Sequence, residues 1–134
     1  MPTRQKQGTV HYTMGSTPTH WVHCFNWHCD ATELKCTFNV DTIAGTLESF
    51  EADFILVSGV DPQTYLVELL DGWGSNWLDG LCDSLATSGA QGTLYATPGA
   101  ETDRMLIDVA GPVQFFVNSG VSGAKGSFKL FVRR

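Results

Sequence analysis

The sequence predicts an all-β protein: an antiparallel β-sandwich, jelly-roll-like, with eight to nine short strands. Apolar and polar residues alternate in several segments, most clearly at residues 106–117 and 125–132, which is the period-two pattern of half-buried strands. The chain also contains 14 glycines and recurring Thr, Val and Phe, a composition that favours strands and turns over helices. Turn signals separate the segments at near-regular spacing, as in sandwiches and jelly rolls.

The chain divides into a short arm and one domain. Residues 1–8 are polar and contain nothing that anchors a core, so we expect them to form a flexible N-terminal arm. Residues 9–134 are then a single β-sandwich domain, a length that buries a substantial core. The arm has no apolar run after Arg4 and Lys6, which argues against a signal peptide, and no apolar window approaches membrane-spanning length. We therefore expect synthesis in a cytoplasm and no membrane partner.

The strands follow from the alternation, taken in chain order. We predict them at residues 9–14, 19–27, 34–40, 47–57, 64–70, 93–96, 106–117 and 125–132. The second and third strands are expected to form a hairpin, and Ala44 and Gly45 to break the chain before the fourth. Residues 77–86 are expected to form a short helix or an irregular packed loop, because their apolar residues have helical spacing. The last strand is expected to complete a sheet, so its removal prevents folding.

The net charge of −6 is unevenly distributed. Residues 37–103 contain most of the acidic residues and no Lys or Arg. Basic residues lie towards the two ends, among them Arg4, Lys6, Arg133 and Arg134. An acidic middle argues against nucleic-acid binding, which requires a basic stripe. Basic ends and an acidic body are suited to docking one subunit on another. Scattered, solvated charge is the other interpretation.

A group of potential metal ligands lies near the N-terminus, but it does not have the spacing of a metal site. Its members are His20, His23, Cys24, His28, Cys29 and Cys36. Successive residues of a strand point to opposite faces, so only part of this set converges, and no paired C-x-x-C elements occur. We expect no metal and no cofactor. Cys24 and Cys36 are expected to be neighbours across the predicted hairpin, with the cysteines as buried thiols rather than disulfides.

No segment has a catalytic motif, and we predict that the protein is not an enzyme. The sequence contains no G-x-S-x-G, no H-E-x-x-H and no phosphate-binding glycine loop. Trp73 and Trp77 flank a turn-prone Gly-Ser-Asn segment, where they form either a stacking platform or a plug at the end of the sandwich. A platform would suit a partner's side chain or a sugar, as in a carbohydrate-binding module. Asp71, Asp79 and Asp83 lie nearby but do not match a calcium-binding loop.

The second half of the chain resembles small virion proteins of tailed bacteriophages. The segment YLVELLDGWG at residues 65–74, followed by WLDG, is similar to their strand and turn of the form Y-x-V-x-L-x-D-x-x-G. The close of the chain, with VAGPVQF, AKGS and LFVR, resembles the same proteins' ending. The matching residues are glycines, a proline and core positions, none of them catalytic. Residues 20–36 have no counterpart in this pattern.

The resemblance implies a virion structural protein of the capsid decoration or cement type. Such a protein is made in the host cytoplasm, binds the outer face of the major capsid protein and stabilises the shell, often as a homo-oligomer such as a trimer. A tail or head–tail component is the alternative within the virion. The candidate partner-binding residues are Arg4, Lys6, Trp73, Trp77, Arg133 and Arg134.

Overall fold

The computed structural model describes residues 8–29, 34–55, 64–78, 82, 85–86, 90–93, 107–119 and 123–134. The strands are β1 (Thr9–Ser16), β2 (His20–His28), β3 (Lys35–Ile55), β4 (Thr64–Asp71), β5 (Leu85–Ala86), β6 (Ala90–Thr93), β7 (Ile107–Asn118) and β8 (Lys125–Arg133). The prediction of an all-β, antiparallel fold is confirmed. Six strands have eight residues or more and the other two have two and four, so the number of full strands is lower than predicted. Within these described ranges, no helix is long and apolar enough to cross a membrane.

The strands form one antiparallel sheet with the order β1-β2-β8-β3-β7-β4-β5, and β6 pairs with β3. The C-terminal strand β8 is an interior strand, because it pairs with β2 on one side and with the end of β3 on the other. Phe128, Leu130 and Val132 of β8 are fully buried, in agreement with the alternation of the sequence. The last segment of the chain therefore joins two parts of the sheet.

The prediction of separate strands at 34–40 and 47–57 is wrong, because a single strand, β3, covers both. β3 changes partner along its length: it pairs with β7 from Lys35 to Leu47 and with β8 from Thr46 to Ile55. Gly45 makes the bend possible, since it has φ +137°, and a Cβ there would come within 2.5 Å of the Arg133 carbonyl oxygen. Gly45, which the sequence pattern indicated as a break in the chain, lies at a bend within one strand.

The predicted hairpin between residues 19–27 and 34–40 is also wrong. β2 pairs with β1 and β8, whereas the first part of β3 pairs with β7. The short connection between the two segments favours a hairpin, but each segment pairs with strands that are distant in the sequence. Local alternation does not encode these distant pairings. In the predicted helix or packed loop at 77–86, Trp77 and Leu78 lie in a turn and Leu85–Ala86 forms β5, and residues 79–81 and 83–84 lie outside the described residues.

The sheet is curled, because side chains of strands that are three positions apart in it meet in the core. The rings of Phe25 in β2 and Phe115 in β7 stack with centroids 4.4 Å apart and planes at 6°. Strands three positions apart would lie about 14 Å from each other in a flat sheet. A second contact across the core joins Trp27 in β2 to Tyr65 in β4, with centroids 5.9 Å apart. These four rings belong to one cluster that contains most of the buried side chains.

The predicted N-terminal arm lies almost entirely outside the described residues, since only Gly8 of residues 1–8 is described. Gly8 packs closely on the core: a Cβ at this position would collide with the Cys36 sulfur and would come within 2.9 Å of the Cys29 Cα. The end of the predicted arm is thus a tightly packed position that requires glycine.

Candidate interaction surface

The turn that follows β4 is held by the carboxylate of Asp71. Its Oδ1 accepts hydrogen bonds from the backbone N–H of Trp73 at 2.8 Å and of Ser75 at 3.0 Å. The N–H of Ser75, followed by those of Trp73 and the Trp77 side chain, lowers the pKa of Asp71, because these donors favour the ionised carboxylate. Gly74, with φ +82°, lets the chain reverse within the turn. The backbone that carries Trp73 is therefore fixed at both sides of the residue.

Asn76 ties the other limb of the turn to β4. Its side-chain Oδ1 accepts the N–H groups of Leu69 and Leu78, each at 3.1 Å. The N–H of Trp77 donates to the Leu69 carbonyl at 2.8 Å, so this limb runs back along the strand. As a result, the two ends of the turn have satisfied backbone donors and the loop forms a rigid projection from the sheet.

The two tryptophans of the predicted platform have different environments. Trp73 is 93% exposed, whereas Trp77 is 8% exposed and belongs to the core cluster. Trp77 therefore plugs the end of the core, and only Trp73 offers its ring to a partner. The other exposed large apolar residues of the described ranges are about half covered, with exposures of 45–56% at Met14, Leu34 and Ile55.

Trp73 overlooks two adjoining depressions, which we call the Trp73 surface. One has a volume of about 550 Å³ and is lined by Asp71, Gly72, Trp73, Trp77, Val109, Ala110 and Pro112. The other, of about 450 Å³, shares Asp71, Gly72 and Pro112 with it and extends to Asp41 and Gln114. They meet where β7 contains Gly111, with φ +128°, opposite the register shift between Val40 and Ile43 in β3. The depressions therefore lie beside the irregular part of the β3–β7 pairing.

The Trp73 surface combines apolar area with acidic charge. Asp41 and Asp71 are the charged residues among its described lining residues, and the apolar contribution comes from Trp73, Ala110 and Pro112. The Asp71 oxygen that holds the turn already accepts two backbone donors, so Asp41 is the carboxylate more available to a partner. Such a surface suits a neutral or basic partner with an apolar area of its own.

The C-terminal arginines make contacts within the chain, far along the sequence from the Trp73 surface. Arg133 Nε lies 3.0 Å from Glu48 Oε2, which is also 3.0 Å from His20 Nε2. The Arg134 guanidinium lies 3.9 Å from the centre of the Trp21 ring, and its Nη1 donates to the Thr17 carbonyl at 3.3 Å. Arg4 and Lys6, the other basic candidates, lie outside the described residues.

The predicted ligand set of histidines and cysteines does not converge on one site. On β2, His23 lies on the face opposite to His20, Cys24 and His28, and Cys36 lies on β3. His23 points into the core, where its Nδ1 lies 2.6 Å from the Tyr12 hydroxyl, and burial lowers the pKa of His23. Within the described ranges, no group of three or more His, Cys, Asp or Glu side chains has the arrangement of a metal site.

The sequence interpretation missed one close pair, Cys29 with Cys36, whose sulfurs lie 3.4 Å apart in the core. The expected neighbour of Cys36 was Cys24, but Cys24 lies on the outer side of β2, opposite Lys129. The signal for the correct pair was present, because the buried face of β2 contains Phe25 and Trp27, and Cys29 continues that alternation.

Comparison with known proteins adds no family to this description: no protein-family model, no curated protein and no solved structure matches the chain.

Proposed function

We propose that the protein is a virion structural protein of the capsid decoration type, which attaches to the outer face of a phage capsid through the Trp73 surface. The observation that carries the proposal is a tryptophan 93% exposed at the tip of a turn whose backbone is fixed by Asp71. Tryptophan is one of the residues enriched among the energetically dominant contacts of interfaces. A fully exposed ring on a rigid projection is poorly explained by the stability of the isolated chain.

The rigid turn favours binding for an energetic reason. An ordered backbone loses little further conformational entropy when a partner covers the ring, so more of the contact energy contributes to affinity. The adjoining depressions receive side chains of the partner around the ring, as the pockets beside interface anchors do. Asp41 and Asp71 favour a basic rim on the partner over an acidic one.

We propose that the curled sheet is a two-layer β-sandwich of the jelly-roll type, as expected for a decoration protein. The stacking of Phe25 on Phe115 and the contact of Trp27 with Tyr65 support two facing layers. The long bent strand β3, which pairs with β7 at one end and with β8 at the other, supports a continuous connection between the layers.

The self-association that the proposal includes is supported by strand β1. In the described part of the chain, β1 pairs with β2 and with no second strand, so one side of its backbone is open. Edge strands are normally protected by Lys, Pro, a bulge or an inward charge. β1 contains none of these, pairs in continuous register over eight residues, and has no acidic or basic residue other than His11. It is therefore suited to antiparallel pairing with β1 of a second copy across a two-fold axis.

In this proposal the basic residues near the two ends of the chain contribute less to partner binding than the sequence suggested. Arg133 and Arg134 contact Glu48 and Trp21 of their own chain, so their first effect is to fix the end of β8. Arg4 and Lys6 of the N-terminal arm retain the proposed role of contacting a neighbouring subunit on the shell. No reaction, metal or cofactor is part of the proposed function.

The experiment that tests the proposal is co-sedimentation of the purified chain with capsids assembled from the major capsid protein of the same genome. The proposal predicts saturable binding with a stoichiometry of hundreds of copies per particle. A dozen copies or fewer would place the protein in the tail or neck instead. A genome without a capsid protein, or no co-sedimentation at protein concentrations up to 100-fold above the capsid sites, would contradict it.

A second candidate function, carbohydrate binding, is favoured by the exposed Trp73 ring beside the depression of about 550 Å³. Sugar rings stack on exposed tryptophan, and a single ring is enough for a weak site. A glycan array distinguishes the two functions, since carbohydrate binding predicts a signal that Trp73→Ala abolishes, whereas the decoration function predicts no signal with either protein.

A further inference from the structure

A pair of buried thiols joins the two sides of the β2–β3 connection. The sulfurs of Cys29 and Cys36 lie 3.4 Å apart, and both residues have 0% exposed surface. The hydroxyl of Ser119 lies 3.5 Å from the Cys29 sulfur. Cys29 follows β2 directly, and Cys36 is the second residue of β3, so the pair brackets the connection between these strands.

The backbone on both sides of the pair is anchored by hydrogen bonds. The N–H of Cys29 donates to the Ala124 carbonyl at 2.7 Å. The N–H and the hydroxyl of Ser119 both donate to the Leu34 carbonyl, at 2.8 and 3.0 Å, and Cys36 itself pairs with Val117 of β7. Gly8 closes over the Cys36 sulfur at a position where a Cβ would collide with it. The short distance between the sulfurs is thus set by anchored backbone rather than by two freely rotating side chains.

We propose that Cys29 and Cys36 form a redox modification site, which becomes an intramolecular disulfide when the protein meets a disulfide oxidant such as oxidised glutathione. The sulfurs need to approach by about 1.4 Å to reach the S–S bond length, a movement within the reach of side-chain rotation. This inference is independent of the proposed function, because it rests on the pair alone.

The reaction is a two-step thiol–disulfide exchange. One cysteine thiolate attacks a sulfur of oxidised glutathione, which forms a mixed disulfide and releases the first glutathione thiolate. The second cysteine thiolate then attacks the cysteine sulfur of the mixed disulfide and displaces the second glutathione. Two electrons pass from the cysteine pair to the oxidant, and the two thiol protons end on the two glutathione molecules. Because both sulfurs are buried, local opening of the structure around the pair must come first.

The environment of the pair makes this exchange slow at neutral pH. The hydrogen bond with Cys29, and then burial, raise the pKa of the Cys36 thiol, so the reactive thiolate is scarce. The pair therefore stays reduced in a cytosol kept reducing by glutathione and becomes oxidised after longer exposure to an oxidising medium. The disulfide closes a short loop between β2 and β3 and so restricts the unfolded chain.

The test is oxidation of the folded protein with oxidised glutathione, followed by alkylation of the remaining thiols and peptide mapping under non-reducing conditions. Digestion with trypsin and chymotrypsin separates the cysteines, because Lys35 lies between Cys29 and Cys36, and Phe25 and Trp27 lie between Cys24 and Cys29. The inference predicts a Cys29–Cys36 linked peptide whose yield rises with pH. It also predicts a rise in Tm of roughly 5–10 °C that dithiothreitol reverses.

Two variants control the experiment. Cys36→Ala should lose both the linked peptide and the Tm shift, whereas Cys24→Ala, on the outer side of β2, should keep both. If Cys36→Ala does not fold, the wild-type peptide map decides the question alone. A link to Cys24 or Cys82, a link formed only in denaturant, or no link after prolonged oxidation at pH 8.5 would overturn the inference.

Discussion

The carboxylate of Asp71 accepts the backbone N–H of Trp73 at 2.8 Å, and this bond fixes the backbone beneath a side chain that is 93% exposed. The order of the turn and the exposure of the ring are therefore linked through one residue. Asp71 is the last residue of β4, so the sheet determines where the turn and the Trp73 ring lie. The turn thus combines an exposed ring at Trp73 with buried side chains at Trp77 and Leu78, which belong to the core cluster.

The first prediction concerns this link. In Asp71→Ala, the amides of Trp73 and Ser75 lose their acceptor and should exchange with solvent faster, while the amides of β7 keep their protection. Hydrogen exchange measured by NMR checks this outcome. Asp53→Ala, which removes an exposed aspartate from β3, is the matched control and should leave the turn unchanged. Equal protection of the turn in both variants would show that Asp71 does not organise it.

The second prediction concerns the stack of Phe25 on Phe115. Each ring is fully buried, so Phe25→Ala and Phe115→Ala should each lower the free energy of unfolding by about 3–5 kcal/mol. Because the rings touch, a double-mutant cycle should show a coupling energy of about 0.5–1.5 kcal/mol. Denaturant unfolding provides these values, and Trp73→Ala should change stability by less than about 0.5 kcal/mol. A coupling energy near zero would argue against contact between β2 and β7 in the core.

The third prediction is a pH dependence that comes from His23. Burial lowers the pKa of His23 in the folded protein, whereas an unfolded histidine has a pKa of about 6.5. Between these two values the unfolded chain binds a proton that the folded protein does not, so stability rises with pH. The free energy of unfolding should therefore fall by up to about 1.4 kcal/mol for each pH unit below 6.5, until the pKa of the folded state is reached.

The control for this pH dependence compares a buried with an exposed histidine. His23→Asn places an uncharged amide, with one donor and one acceptor, at the position of Nδ1 beside the Tyr12 hydroxyl, and it should flatten the slope between pH 5 and 7. His28→Gln changes an exposed residue of the same strand and should keep the slope. If both variants retain the wild-type slope in urea unfolding curves, another group is responsible.

The fourth prediction concerns the C-terminal strand. β8 lies between β2 and β3, so a chain that ends before Lys125 removes the partner of β2 on one side and the partner of β3 from Thr46 to Ile55. It also exposes the residues that faced Phe128 and Leu130. We expect this truncation to lose near-UV circular dichroism and cooperative unfolding altogether. Removal of Arg134 alone keeps all of β8 and should preserve the fold. A cooperative unfolding transition in the longer truncation would show that β8 is dispensable.

The fifth prediction concerns self-association through the open edge of β1. A lysine in an edge strand opposes pairing with another chain, so Thr13→Lys should convert oligomers to monomers in sedimentation-velocity experiments. Asn26→Lys places the same charge on β2, which is paired on both sides, and should leave the oligomeric state unchanged. A monomeric wild type at all concentrations tested would remove β1 from the proposed interface.

The sequence predicts local features of this fold better than the partners of each strand. The alternation of apolar and polar residues correctly predicted β2, β4, β7 and β8, because the burial of alternate residues in a strand depends on neighbouring positions in the sequence. It did not show that β3 continues through Gly45, since glycine serves equally as a turn and as a bend inside a strand. It also placed β3 beside β2, because the pairing of distant segments depends on the whole core.

For the candidate surface, the sequence identified Trp73 and Trp77 but not the difference between them. The two residues flank one turn, and periodicity does not apply within a turn, so their burial depends on the hydrogen bonds of Asp71 and Asn76. The alternation of β2 places Cys29 on the buried face and so could have predicted the Cys29–Cys36 pair. The expected hairpin predicted Cys24 as the neighbour of Cys36 instead. An incorrect strand pairing therefore led to an incorrect side-chain pairing.

The central claim, attachment through the Trp73 surface, is tested most directly by the affinity of Trp73→Ala for capsids of the same genome. Loss of an interface anchor costs at least about 2 kcal/mol, so the account predicts an affinity lower by roughly 30-fold or more. Ile55→Ala, which truncates an exposed apolar residue of β3 away from the Trp73 surface and from β1, serves as the control and should weaken binding much less. An unchanged affinity for Trp73→Ala in the same co-sedimentation assay would contradict the claim.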